Sequence, residues 1–97
     1  MLRISVHEGP TQVVFELEGR LAGAWVVELE ESWRRVTSRL SGIPVYLQLN
    51  AVHYVDSAGK YLLALMRYRG VQLTGSGMAV TDLIRSIDEE WPLQHEH

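Results

Sequence analysis

The 97-residue chain is sized for one domain and leaves no room for two independent cores. Its formal net charge of −3, with acids and bases interleaved and no basic stripe, argues against nucleic acid and anionic membranes as partners. It has no cysteine, which excludes disulfides, thiolate nucleophiles and thiolate metal sites together.

The first residues, Met1-Leu2-Arg3-Ile4-Ser5, alternate apolar and polar, unlike the apolar run of a signal peptide. No stretch approaches the roughly 20 apolar residues that span a bilayer, so the cytoplasm is the expected compartment. Leu2, Ile4 and Val6 predict a short strand. Glu8-Gly9-Pro10 is turn chemistry, since glycine tolerates unusual φ and proline cannot continue a ladder. Val13, Phe15 and Leu17 predict a second strand that Gly19 closes, and the two read as a hairpin.

The period then changes. Val26, Leu29, Trp33, Val36 and Leu40 recur at three and four, which predicts a helix stopped by Gly42 and Pro44. Val45, Leu47 and Leu49 predict a third strand, followed by a short loop. A second helix is expected from about Ser57 to Arg69, with Gly70 as its stop. Val71 and Leu73 mark a fourth strand. After Gly75-Ser76-Gly77, a third helix buries Val80, Leu83, Ile84, Ile87 and Trp91 and ends at Pro92. The domain therefore covers 1–92, and 93–97 is expected as a flexible tail.

The order is β-β-α-β-α-β-α, an α/β chain with a mixed four-stranded sheet. Strands joined through helices should be parallel, with right-handed crossovers. Parallel strands covered on both faces read as continuous apolar runs. Here Glu16, Glu18, Gln48, Gln72 and Thr74 alternate with the apolar residues, so the helices should lie mainly on one face of the sheet and leave the other wet. A β-α superhelix fits that pattern.

The most informative stretch runs from Leu47 to Gly59, where a strand leads through a loop into Asp56-Ser57-Ala58-Gly59 at the mouth of a helix. Ser57 is placed to act as the N-cap, accepting from a free N–H of the first turn. Those N–H groups and the positive helix end also favour a phosphate. On the residues alone two readings stay open: a serine that only caps, with Gly59 allowing close packing, or a serine that carries a regulatory phosphate.

The segment from Val45 to Gly75, centred on Asp56-Ser57-Ala58-Gly59, resembles the core signature of the STAS family, which comprises anti-sigma-factor antagonists and related domains of sulfate transporters. Gly19-Arg20-Leu21 matches the family's early Gly-x-Leu element, and the element order matches its β-α superhelix over about the first 90 residues. The resemblance implies a bacterial, non-catalytic regulator of transcription that works by binding and needs no cofactor or metal. It implies that Ser57 is phosphorylated by a kinase that is also an anti-sigma factor, and reset by a phosphatase. The partner-binding surface would comprise Arg20, Asn50, Asp56, Ser57, Ala58, Gly59 and Lys60, gathered at the carboxyl ends of the parallel strands, where open α/β sheets place their sites.

The chain departs from the family pattern in three places. Lys60 stands where leucine is usual, as an exposed lysine or a partner for a phosphate on Ser57. Ala22 stands where antagonists often carry aspartate. A last β-α unit is missing, which leaves the strand at 71–75 as an edge for a second copy or a partner. An alternative is a STAS subunit of a constitutive transporter or stress complex, in which Ser57 only caps.

Other chemistry is weaker. A small hydrolase would use Ser57 and His53, but Gly-x-Ser-x-Gly is absent. Gly75-Ser76-Gly77 lacks the third glycine and the lysine of a phosphate loop. His95-Glu96-His97 could bind a metal but sits at the end of the chain. Of the three tryptophans, Trp25 lies off the inward stripe and is the one expected at the surface.

Overall fold

A computed structural model describes residues 1–92; the tail expected at 93–97, with His95 and His97, lies outside the described residues. The elements are β1 (Leu2–Glu8), β2 (Val13–Leu21), α1 (Ala24–Arg39), β3 (Val45–Val55), α2 (Ser57–Tyr68), β4 (Gln72–Thr74) and α3 (Met78–Glu90). They form one sheet in the order β1-β2-β3-β4. The β1–β2 hairpin is antiparallel, and β2–β3 and β3–β4 are parallel, as the helical connections require.

One face of the sheet makes the core. Val13, Phe15 and Leu17 of β2 and Val45, Leu47 and Leu49 of β3 are buried, and each full burial of such a side chain contributes about 1.5–3 kcal/mol. Against them pack Leu29, Trp33 and Val36 of α1 and Leu62, Leu63 and Met66 of α2. On the opposite face Glu16, Glu18 and Gln72 are exposed and Gln48 and Thr74 half-buried, so the wet face read from the alternation is present.

Two strands run further than their patterns suggest. Gly19 was expected to close β2, but β2 passes through it to Leu21. Gly19 has φ 115, and a Cβ there would collide with the Met1 carbonyl oxygen, which also accepts from the Arg20 N–H at 2.9 Å. Glycine is what lets the start of the chain close over β2. The loop expected after Asn50 is likewise strand, since β3 continues to Val55. The reason lies in its register. Glu16 and Glu18 face Gln48 and Ala51, and Gly19 and Arg20 face Val52 and Tyr54, so β3 carries one extra residue at each step. Each bulge shifts the in–out alternation by one and erases the period-2 signal.

Helix α2 ends in a Schellman motif: Val71 N–H donates to Met66 O and Gly70 N–H to Arg67 O, with Gly70 at φ 101. Helix α3 packs chiefly on α2. Between them, Lys60 Nζ donates to Ser86 Oγ at 3.1 Å, and Arg67 pairs with Asp88.

Candidate functional site

Because β2 and β3 are parallel, their carboxyl ends and the starts of α1 and α2 meet at one end of the molecule. Asp56 joins them. Its Oδ1 accepts the Gly59 N–H at 2.7 Å and caps α2, while its Oδ2 accepts the Gly23 N–H at 3.0 Å, at the start of α1. Its own N–H donates to Leu21 O at 3.1 Å. Gly23, chiefly, and then Gly59 hold the Asp56 carboxyl below the usual carboxylate range, with burial opposing them.

The cap is therefore Asp56 and not Ser57. Asp56 has the extended backbone of an N-cap, with ψ −178, and Ser57 is already the first helical residue. A carboxylate one residue earlier reaches the first-turn N–H that Ser57 was expected to satisfy. Ser57 is exposed, and its hydroxyl has no hydrogen-bond partner among the described residues, His53 included. Ala58 beside it is also exposed.

Gly59 is buried against the end of β2. A Cβ there would lie 2.8 Å from Leu21 O and 2.8 Å from Val55 Cγ1, so a larger residue would push α2 off the strand ends. Lys60 is half-buried with its ammonium on Ser86; the exposed, unengaged lysine expected at this position is not what the fold contains. Asn50, five residues before the end of β3, accepts the Ser76 N–H on Oδ1 at 2.8 Å and holds the loop that follows β4. Arg20 is exposed and lies 4.5 Å from the ring centre of Tyr54, its neighbour across β2–β3.

Of the expected residues, Asp56, Ser57, Ala58 and Gly59 thus form one cluster, Arg20 stands on the adjoining strand end, and Asn50 and Lys60 brace neighbouring elements. Sequence reasoning missed Gly23, which acts only through its backbone N–H and leaves no side-chain signal. It also missed Tyr54, whose alternation a bulge interrupts. Large apolar side chains are exposed at the same end of the elements: Trp25 is 37% exposed near the start of α1, Tyr54 46% near the end of β3 and Met78 81% at the start of α3. Trp25 is at the surface, as its place off the stripe predicts.

The same architecture is known. A crystal structure of an anti-sigma factor antagonist from Mycobacterium paratuberculosis superposes with a TM-score of 0.74, at 18% identity, over 95% of this chain and 84% of that one. The fold is STAS-like. An uncharacterized protein of the DUF3478 family from Shewanella loihica PV-4, described as having a SpoIIAA-like fold, superposes with a TM-score of 0.61 at 12% identity, over 94% of this chain and 80% of that one. No protein-family model matches the sequence, and no curated protein matches it. The STAS-like fold accounts for the placement of the Asp56–Gly59 cluster at a helix start beside two strand ends. Among the described residues no helix is long and apolar enough to cross a membrane, and no group of three or more His, Asp or Glu side chains could hold a metal ion.

Proposed function

We propose that the chain is a regulatory protein-binding module of the anti-sigma-factor-antagonist kind, acting in the cytoplasm and switched by phosphorylation of Ser57. The observation that carries this reading is the division of labour at the start of α2. Asp56 performs the capping, so the Ser57 hydroxyl is exposed at a helix N-terminus and has no hydrogen-bond partner among the described residues. A phosphate there would add nearly two negative charges at the end of the molecule where the helix starts and strand ends meet, without removing a hydrogen bond made among the described residues. Asp56 holds the N-cap in place of Ser57, and the alternative, a subunit of a constitutive transporter or stress complex with Ser57 unmodified, is separated from this reading by whether Ser57 is ever phosphorylated.

In this reading the unmodified face, with Arg20, Asp56, Ser57 and Ala58, docks a serine-kinase-like anti-sigma factor, and a phosphatase resets it. Binding, not catalysis, is the activity. The exposed edge of β4 is a second contact, taken up by another copy of the chain. The test is peptide mass spectrometry on protein from its own cells with and without stress: a phosphate on Ser57 that varies with condition supports the switch, and a Ser57 never modified refutes it. Sedimentation of the purified chain, read for dimer, tests the edge.

A further inference from the structure

Helices α2 and α3 form a second surface with different chemistry. Tyr61, Leu65 and Tyr68 follow one another at four and three along α2 and so share a face. Tyr61 is 58% exposed and Tyr68 72%, unlike the core-facing Leu62, Leu63 and Met66. Trp91, the C-cap of α3, stands edge-on to Tyr61 with ring centres 5.9 Å apart and planes at 69°. These rings, with Leu65, Glu90 and Pro92, line an open groove of about 360 Å³.

The charge beside the groove runs against what its helix favours. α3 ends in Asp88-Glu89-Glu90 with no basic residue in its last turn. The carboxyl end of a helix carries partial negative charge and is stabilised by cations, so carboxylates there are locally unfavourable. Arg67 compensates Asp88, but among the described residues Glu90 has no ion-pair partner. A carboxylate that its own helix end disfavours, set beside exposed aromatic rings, is suited to a cation from outside the fold.

We infer that this groove receives the guanidinium of an arginine carried by a partner protein, with an apolar residue beside it. Aromatic ring faces attract a cation, a guanidinium stacks on them, and its N–H groups donate to a carboxylate. Tyr61 and Tyr68 supply ring surface, Glu90 supplies the carboxylate, and Leu65 and Pro92 suit the apolar neighbour. The net charge of −3 favours approach of a basic segment. Ser57 lies four residues before Tyr61 and so heads the same stripe of α2, yet the arginine site does not depend on its modification.

The probe is N-acetyl-arginine amide, titrated into the full ¹⁵N-labelled chain and followed at the Trp91 indole N–H, with N-acetyl-leucine amide and N-acetyl-glutamate amide for comparison. A saturable shift is expected with the arginine probe, weaker by several-fold with leucine and absent with glutamate. Glu90→Gln and Tyr68→Ala, both at exposed side chains, should each weaken binding about threefold or more. No saturable shift with arginine, or an equal one with leucine, overturns the proposal. So does binding that emerges only after deletion of residues 93–97, which would make the chain's own end the occupant. A dimer that Tyr68→Ala dissociates would also overturn it, by making a second copy the occupant.

Discussion

Asp56 accepts a hydrogen bond from the Gly23 backbone N–H at 3.0 Å across 33 residues of sequence, while its other oxygen caps α2. One carboxylate thus ties together the starts of two helices that the chain reaches from different strands. Replacement by alanine removes the cap and the tie; replacement by asparagine keeps a cap but loses the charge.

The charge gives this tie a pH signature. The Asp56 carboxyl lies lower in the folded chain than in the unfolded one, held there first by Gly23 and then by Gly59. Its contribution is therefore present above the unfolded carboxylate value, near 3.9 for aspartate, and is lost as pH falls through the folded one. The urea midpoint of the native chain should exceed that of Asp56→Asn by a constant margin at neutral pH, and the two should converge in acid. A margin unchanged down to acid pH would show that the carboxylate is not the source.

Gly59→Ala sets two effects against each other. Alanine gains about 1 kcal/mol over glycine in helix propensity. Its Cβ would meet Leu21 O and Val55 Cγ1, each at 2.8 Å. Backbone crowding of this kind costs about 1–3 kcal/mol, so a net destabilisation is expected. Urea unfolding reads the sign directly, and a stabilised Gly59→Ala would mean that α2 can shift freely on the strand ends.

At Ser57 the expectation is the reverse. Its hydroxyl has no partner among the described residues, so Ser57→Ala should change stability by less than about 0.5 kcal/mol. Capture of the partner from extracts of the chain's own cells should survive Ser57→Ala and be lost with Ser57→Asp. Equal capture by both would remove the switch while leaving the fold as it is.

Much of this was legible in the residues. The apolar periods gave the order of elements, and the alternation in β2, β3 and β4 gave a sheet with one wet face. Asp56-Ser57-Ala58-Gly59 marked the helix start. What the residues did not carry were relations between backbone groups. The bulges in β3 cancel the alternation over Ala51–Val55, so a paired strand reads as loop. The N-cap slid from Ser57 to Asp56 because both side chains can cap, and the choice rests on a backbone torsion. The Gly23 N–H has no side chain to announce it.

Asn50 illustrates the same point in a testable form. Its Oδ1 accepts the Ser76 N–H at 2.8 Å, and it was expected only as part of a binding surface. Asn50→Ala should cost about 0.5–1.5 kcal/mol, the net worth of one such bond. It should also speed amide exchange at Ser76, and protection unchanged at that amide would show the bond to be unimportant.

The seating of α3 has a consequence for how the domain opens. This helix leans on α2 through the Arg67–Asp88 pair, the Lys60–Ser86 bond and the Tyr61–Trp91 contact; it buries Val80 and Ile87, while Leu83, Ile84 and Trp91, expected inside, are only half-buried against the core. Segments with few buried contacts detach at lower free energy than the global unfolding. The α3 amides should therefore exchange as a separate, less protected unit than those of β2 and β3. When α3 lifts, the aromatic groove comes apart while the Asp56–Gly23 tie, which lies wholly outside α3, stays closed. Two surfaces on one small domain would then fail at different denaturant concentrations.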